Sequence, residues 1–80
     1  NTHLGGGALD LTIVNSKGKE LFMGGRKLNS EGYLDYFENK KTISKREKEI
    51  RDNRRLLNEV MKKSGFKPYN AEWWHWGYIK

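Results

Sequence analysis

Residues 44–65, SKREKEIRDNRRLLNEVMKKSG, have the clearest structural pattern in the chain, because they predict its one long helix. Ser44 followed by Glu47 forms a capping box, in which each side chain accepts a hydrogen bond from the backbone of the other residue. Gly65 is typical of the position just past a helix end. Apolar residues recur at helical spacing and form a stripe on one face of the helix, with Leu56 at its edge. The stripe contains Ile50, Leu57, Val60 and Met61. We therefore expect a helix over about residues 44–64.

Short segments on both sides of this helix have the patterns of strands. In residues 8–14 a leucine or isoleucine stands at every second position. This spacing favours a strand with Leu9, Leu11 and Ile13 on one face and Asp10 on the other. Residues 20–23 are expected to return beside it after a turn at residues 15–18. Residues 24–42 have no regular pattern, and residues 66–72 are expected to form a loop. The aromatic residues at 73–79 favour a final strand.

The length and the composition limit the kinds of site that the chain can form. Eighty residues make one small domain with a modest core, for which a metal or a partner segment is a common source of extra stability. The sequence has no cysteine, which excludes disulfides and thiolate metal sites. Histidine, aspartate and glutamate are then the side chains left to bind a metal.

The charge of the chain is basic, with sixteen Lys and Arg against ten Asp and Glu and a net charge of +6. Much of the positive charge lies at residues 40–63, where acidic residues are interleaved with it, and this is typical of a solvated helix face. A nucleic-acid surface would have clustered cations without those acids. No apolar run approaches the ~20 residues of a membrane span. We expect neither a nucleic-acid partner nor a membrane span.

Four residues have the chemistry of a hydrolytic metal site. His3 and His75 are the two histidines of the chain, and they lie near Asp10 and Glu72 respectively. A catalytic zinc needs three nitrogen or oxygen ligands and an open position, with a further carboxylate as general base. His3, Asp10 and His75 can be the ligands and Glu72 the base. The residue types alone also allow the two acids to exchange these roles.

The histidines, the tryptophans and the glycine run of this chain also have ordinary structural interpretations. A single histidine on a loop is usually a surface residue. Tryptophans such as Trp73, Trp74 and Trp76 belong to a core more often than to a binding site. The glycines at residues 5–7 are not a phosphate loop, because no Lys-Ser or Lys-Thr follows them.

Two motifs in this order resemble those of the VanX-like D-alanyl-D-alanine dipeptidases, a family of zinc metallopeptidases. The motifs are His3-x-x-Gly6-x-Ala8-x-Asp10 and Glu72-Trp73-Trp74-His75. Similarity to the family also extends to Met23-Gly24, to Asn53-Arg54-Arg55-Leu56-Leu57, to Met61 and to Ser64-Gly65-Phe66.

The resemblance implies a role for five residues of this chain. His3, Asp10 and His75 correspond to the ligands of a Zn²⁺ cofactor, and Glu72 corresponds to the catalytic base. Asp35 is the best match to an acid that binds the amino group of the substrate, although several extra residues precede it here. Asn1 stands where the family has a serine that holds substrate.

The resemblance also implies a fold and a reaction. The fold is α+β, with a small antiparallel sheet and one main helix, as in the zinc-peptidase fold shared with D,D-carboxypeptidases. Residues 1–80 would be the C-terminal zinc-binding part of a single catalytic domain. That domain would need its N-terminal part, which carries an arginine near the reacting carbonyl. The implied reaction is zinc-dependent hydrolysis of the small dipeptide D-Ala-D-Ala in a bacterium, in the cytoplasm or in the periplasm and cell envelope.

Two alternatives stay open at this point. One is a cell-wall D,D-carboxypeptidase or endopeptidase that uses the same zinc site. The other is a non-catalytic zinc domain, against which the presence of Glu72 argues, because a structural zinc needs no base.

Overall fold

A computed structural model describes residues 8–78, which contain one α-helix and a three-stranded sheet. The strands are β1 (Ala8–Asp10), β2 (Phe66–Tyr69) and β3 (Glu72–Tyr78), and the helix is α1 (Lys45–Lys63). Two short 3-10 helices, Ser30–Gly32 and Tyr36–Glu38, lie between β1 and α1. The strand order is β1-β3-β2, and both strand pairs are antiparallel. The expected α+β fold, with a small antiparallel sheet and one main helix, is confirmed.

The ends of α1 are those predicted from the sequence. The side chain of Ser44 accepts a hydrogen bond from the N–H of Glu47 at 3.1 Å, and the carboxylate of Glu47 accepts one from the N–H of Ser44 at 2.9 Å. At the other end Gly65 has φ +90°, a conformation that glycine adopts without strain. Local side-chain chemistry therefore sets both boundaries of the helix.

The buried face of α1 differs from the predicted stripe. Ile50, Leu57 and Met61 are buried as expected, but Val60 is 49% exposed and Leu56 is exposed as well. Arg54 takes the remaining place on the buried face. Its position, four residues after Ile50 and three before Leu57, puts it on the same side of the helix. The loop before α1 offers carbonyl groups to the guanidinium, so a charged residue can be buried there.

The first hairpin is shorter than predicted. β1 ends at Asp10, and the expected return strand is reduced to an isolated antiparallel bridge between Val14 and Glu20. The turn between them is present, with the N–H of Asn15 donating to the carbonyl of Lys19 at 2.8 Å. Residues 8–14 therefore do not form one continuous strand, because only the first part pairs with β3.

β2 is a strand that the sequence analysis placed in a loop. Pro68 lacks an N–H and argues against a central strand. The strand order explains the difference, because β2 lies at an edge of the sheet and pairs with β3 alone. An edge strand has one side on which a missing N–H costs no hydrogen bond.

The core is formed by β3 and the face of α1 that packs on it. Trp73 and Trp76 have no exposed surface, and Trp74 and Met23 are buried with them. The interpretation of the three tryptophans as core residues is thus confirmed. Leu11 and Ile13 pack against this cluster, whereas Leu9 in edge strand β1 is 48% exposed. Across residues 8–78, no helix has the length and apolarity that crossing a membrane requires.

Candidate metal and substrate site

Asp10 and His75 face each other across the sheet. They are register partners in the antiparallel pair of β1 and β3, and Oδ1 of Asp10 lies 3.1 Å from Nδ1 of His75. The ladder continues one residue further, where the N–H of Leu11 donates to the carbonyl of Trp74 at 2.7 Å. Two residues that are 65 positions apart in the chain are therefore brought together by strand register.

The separation of these two atoms suits a shared metal as well as a hydrogen bond. Two atoms bound to one tetrahedral zinc at about 2.0–2.2 Å lie roughly 3.3–3.5 Å apart. The observed 3.1 Å is close to that value. A neutral imidazole nitrogen and a carboxylate oxygen are both common zinc ligands. Asp10 and His75 thus fit two of the three expected ligand positions.

The third expected ligand, His3, lies outside the described residues. Within residues 8–78 no three His, Asp or Glu side chains are placed so that they could hold a metal ion together. The described part of the chain therefore contains the Asp10–His75 pair of the expected zinc site. The assignment of all three ligands stays a prediction.

Glu72, the expected base, begins β3 beside an irregularity in the sheet. Pro68 of β2 pairs with Trp76, but the next residue, Tyr69, pairs with Glu72, so three residues of β3 are left between the paired positions. In a regular strand, residues three apart point to opposite faces. The irregularity removes that constraint, and bulges of this kind re-aim side chains next to active sites.

The tryptophans show that the usual alternation is broken here. Trp73 and Trp76 are three residues apart, yet both are fully buried. The indole N–H of Trp76 also donates to the carbonyl of Trp73 at 3.1 Å. Glu72 and His75 have the same spacing one residue earlier, and both are half-buried. Trp74, which lies between the two tryptophans, is buried as well, so the placement of Glu72 and His75 in one site stays a prediction.

Tyr69 is a neighbour of His75 that the sequence analysis missed. Its ring centroid lies 5.4 Å from that of the imidazole, with the two planes at 76°. This edge-to-face packing restricts the orientation of the imidazole. The sequence did not reveal Tyr69, because Pro68 argues against a strand at residues 66–69.

Asp35 lies in a segment that is tied to the turn before Glu72. It is exposed at the start of the 3-10 helix Tyr36–Glu38. The N–H of the preceding residue, Leu34, donates to the carbonyl of Asn70 at 2.9 Å. Asn70 is two residues before Glu72, so the segment that carries Asp35 is anchored beside the start of β3.

Asp35 also lines a cavity of roughly 220 Å³ between α1 and this segment. Arg54 and Arg55 contribute to the wall on the helix side, and Pro68 and Asn70 contribute to the sheet side. Of the residues in the described range, Asp10, Glu72 and His75 are not among those that line it. The role of Asp35 in substrate binding stays a prediction.

Glu38, three residues after Asp35, is paired with an arginine of α1. Both oxygens of Glu38 accept hydrogen bonds of 2.6 Å from the guanidinium of Arg55. These bonds lower the pKa of Glu38 and raise that of Arg55. Glu38 is thus held by the helix, which favours Asp35 over Glu38 as the acid available to a substrate ammonium.

Arg54, in the wall of the cavity beside Asp35, was not singled out by the sequence analysis. Burial lowers the pKa of Arg54 to about 10, so its guanidinium remains charged at neutral pH. The side chain donates to the backbone carbonyls of Met23, Glu31 and Tyr33 at 2.9–3.0 Å. Its place on the apolar stripe of α1 was the sequence signal that could have revealed it.

Comparisons with known proteins agree with the motifs. The chain matches the family model described as D-ala-D-ala dipeptidase, Peptidase_M15, over residues 1–80. It is 32% identical over 79 residues to a D-alanyl-D-alanine dipeptidase of the bacterium Synechocystis sp.. That match covers 91% of this chain and 32% of the relative, so the chain spans about a third of the relative's length. No solved structure matches the chain.

The matched region includes both motifs, and with them the strand pair that joins Asp10 to His75 and the start of β3 at Glu72. The chain belongs to the D-Ala-D-Ala dipeptidase family, Peptidase_M15.

Proposed function

We propose that this chain carries the zinc site of a peptidase that hydrolyses the dipeptide D-Ala-D-Ala. The observation that carries the proposal is the Asp10–His75 pair, held at 3.1 Å by strand register in a chain of this family. The pair has the atom types and the spacing of two zinc ligands. His3 would complete the set as the third ligand.

The metal accounts for one part of the chemistry. Zinc held by His3, Asp10 and His75 would act as a Lewis acid, which lowers the pKa of water toward ~7 and polarises the scissile carbonyl. Glu72 accounts for the proton transfers. Its carboxylate accepts a proton from the attacking water and then donates that proton to the amine that leaves as the C–N bond breaks.

The substrate amino group is the feature that separates a dipeptidase from its alternatives. The ammonium of a free dipeptide is attached to the same Cα as the scissile carbonyl, so an acid that binds it must lie close to the metal. Asp35 is our candidate, because its segment is hydrogen-bonded to Asn70 beside the start of β3. A carboxypeptidase or endopeptidase would not need this acid, since its substrates have no ammonium at that place.

The test uses Glu72→Gln and His75→Ala, with zinc content measured in this chain and turnover measured in the longer protein that the family resemblance implies. Glu72→Gln should keep stoichiometric zinc and lose at least ~10²-fold in turnover of D-Ala-D-Ala, because glutamine cannot accept the proton. His75→Ala should lose the zinc itself. Glu59→Gln, an exposed acid on α1, is the matched control and should change neither property.

Three outcomes would contradict the proposal. Near-normal turnover in Glu72→Gln would refute the role of Glu72 as the general base. Loss of zinc in Glu72→Gln would make Glu72 a ligand and Asp10 the candidate base. Retention of one tightly bound zinc in both His3→Ala and His75→Ala would overturn the ligand assignment.

A further inference from the structure

Arg54 is buried to 1% exposure, which is rare for an arginine. Its Nε donates to the carbonyl of Met23 at 2.9 Å, and its Nη1 donates to the carbonyls of Glu31 and Tyr33 at 2.9 and 3.0 Å. Residues 24–32 are the first part of the loop of residues 24–42, with Met23 directly before them and Tyr33 directly after them. One guanidinium thus joins the two ends of this first part of the loop.

The same guanidinium lies between the two halves of the candidate site. Its Cζ is 5.1 Å from the ring centroid of Phe37 and 5.5 Å from that of Trp73. Phe37 is two residues after Asp35, and Trp73 directly follows Glu72. Cation–π contacts of this kind are stronger where water is excluded. Arg54 therefore connects the segment that carries Asp35 with the strand that carries Glu72.

The surrounding backbone leaves little room for a different arrangement. A Cβ on Gly24 would lie 2.8 Å from Nη2 of Arg54, and Gly24 has φ +87°. The indole N–H of Trp73 donates to the carbonyl of Gly25 at 2.8 Å. The loop is thus closely fitted around the guanidinium and tied to β3 next to it.

We propose that Arg54 is a positioning residue for substrate selection, whose guanidinium fixes the segment carrying Asp35 against the strand carrying Glu72 and His75. This inference rests on the proposed function. In a free dipeptide the ammonium and the scissile carbonyl share one Cα, so the spacing between Asp35 and the metal pair has little tolerance. A misplacement of about 1 Å can cost ~10²-fold in rate.

The first measurement uses Arg54→Lys in the zinc-loaded longer protein. Lysine keeps the charge, but its single ammonium cannot reproduce the planar fork that holds carbonyls on both sides of the loop. The KM for D-Ala-D-Ala should rise at least about tenfold, in the same direction as in Asp35→Asn. The inhibition constant of propionyl-D-alanine, which lacks only the amino group, should change much less. Arg51→Lys, one turn earlier and bonded to Asp52, is the matched control and should change neither.

The second measurement does not depend on activity. Hydrogen exchange of the backbone N–H of Leu34, which donates to Asn70, should become faster in Arg54→Lys. The N–H of Leu11, which donates to Trp74 within the sheet, should keep its protection. An inactive wild-type enzyme would end the proposed function, whereas the exchange result would still decide whether Arg54 holds the Asp35 segment.

Two results would overturn the inference. One is an equal loss for D-Ala-D-Ala and propionyl-D-alanine, which would show a general structural role. The other is unchanged protection of Leu34 in a folded Arg54→Lys protein. If Arg54→Lys does not fold, Phe37→Leu replaces it, because this variant removes the ring beside the guanidinium and keeps an apolar side chain. Phe37→Leu should raise the KM for D-Ala-D-Ala and the hydrogen-exchange rate of the N–H of Leu34, as Arg54→Lys would. If neither quantity changes, the proposal is wrong.

Discussion

β3 and the loop of residues 24–42 carry the two parts of the proposed site, and they are held in different ways. β3 is fixed by apolar burial, since Trp73 and Trp76 have no exposed surface. The loop buries Phe37, but it is also held by hydrogen bonds, among them those from Arg54 to the carbonyls of Glu31 and Tyr33. Apolar burial depends on the area removed from water and has no direction. Hydrogen bonds depend on distance and angle, so the loop should be the more sensitive to small displacements.

The largest expected effect is in the apolar region. Trp76→Ala removes a fully buried indole and should lower the free energy of unfolding by about 3–5 kcal/mol. A domain of this length is stable by roughly 4–12 kcal/mol, so the variant should lose a large part of its stability. Val60→Ala, on the exposed side of α1, should cost less than about 0.5 kcal/mol. Urea unfolding followed by circular dichroism measures both. A cost below about 1 kcal/mol for Trp76→Ala would show that burial in β3 is not what stabilises the fold.

A pair of glycines compares the two regions directly. A Cβ on Gly32 would lie within 2.0 Å of the carbonyl oxygen of Lys27, so Gly32→Ala must displace the loop backbone. A Cβ on Gly77 in β3 would have no other described residue, apart from its two chain neighbours, within 4 Å. We expect Gly32→Ala to cost about 1–3 kcal/mol.

Gly77→Ala should be neutral or slightly stabilising, by up to about 1 kcal/mol. Thermal unfolding of the two variants side by side gives the comparison. If Gly77→Ala were the less stable variant, the loop would adapt to a new side chain more easily than the sheet. The polar contacts of the loop would then not make it rigid.

The smallest expected effect concerns the ion pair that joins the loop to α1. Arg55 lowers the pKa of Glu38 below its usual value of 4.5, because its guanidinium bonds the ionised carboxylate in the folded state. A carboxylate whose pKa is lowered by folding stabilises the folded state at pH values above its pKa in the unfolded chain. This stabilisation is lost as the pH falls through the lower pKa of the folded state. Glu38→Gln should therefore be slightly less stable than the wild type at neutral pH, with a small difference because the pair is largely exposed.

The difference between Glu38→Gln and the wild type should disappear in acid, well below 4.5. Unfolding in urea at neutral and at acidic pH tests this, with Glu49→Gln as an exposed control on the same helix. A difference of the same size at both pH values would assign the effect to packing instead of the ion pair.

Features that depend on near neighbours in the chain could be predicted from the sequence. The capping box at Ser44 and Glu47 and the glycine at residue 65 fixed the ends of α1, because their partners lie within one helical turn. The aromatic pattern of residues 73–79 predicted β3, and the two motifs predicted the family. These features need no knowledge of distant residues.

The tertiary structure decided which distant groups meet. The register that places Asp10 opposite His75 depends on pairing between strands at the two ends of the chain. The burial of Arg54 depends on carbonyls that lie 21–31 residues earlier. The edge position of β2 made Pro68 acceptable in a strand. Each of these outcomes is set by hydrogen-bond partners that are remote in sequence, and local propensity carries no information about them.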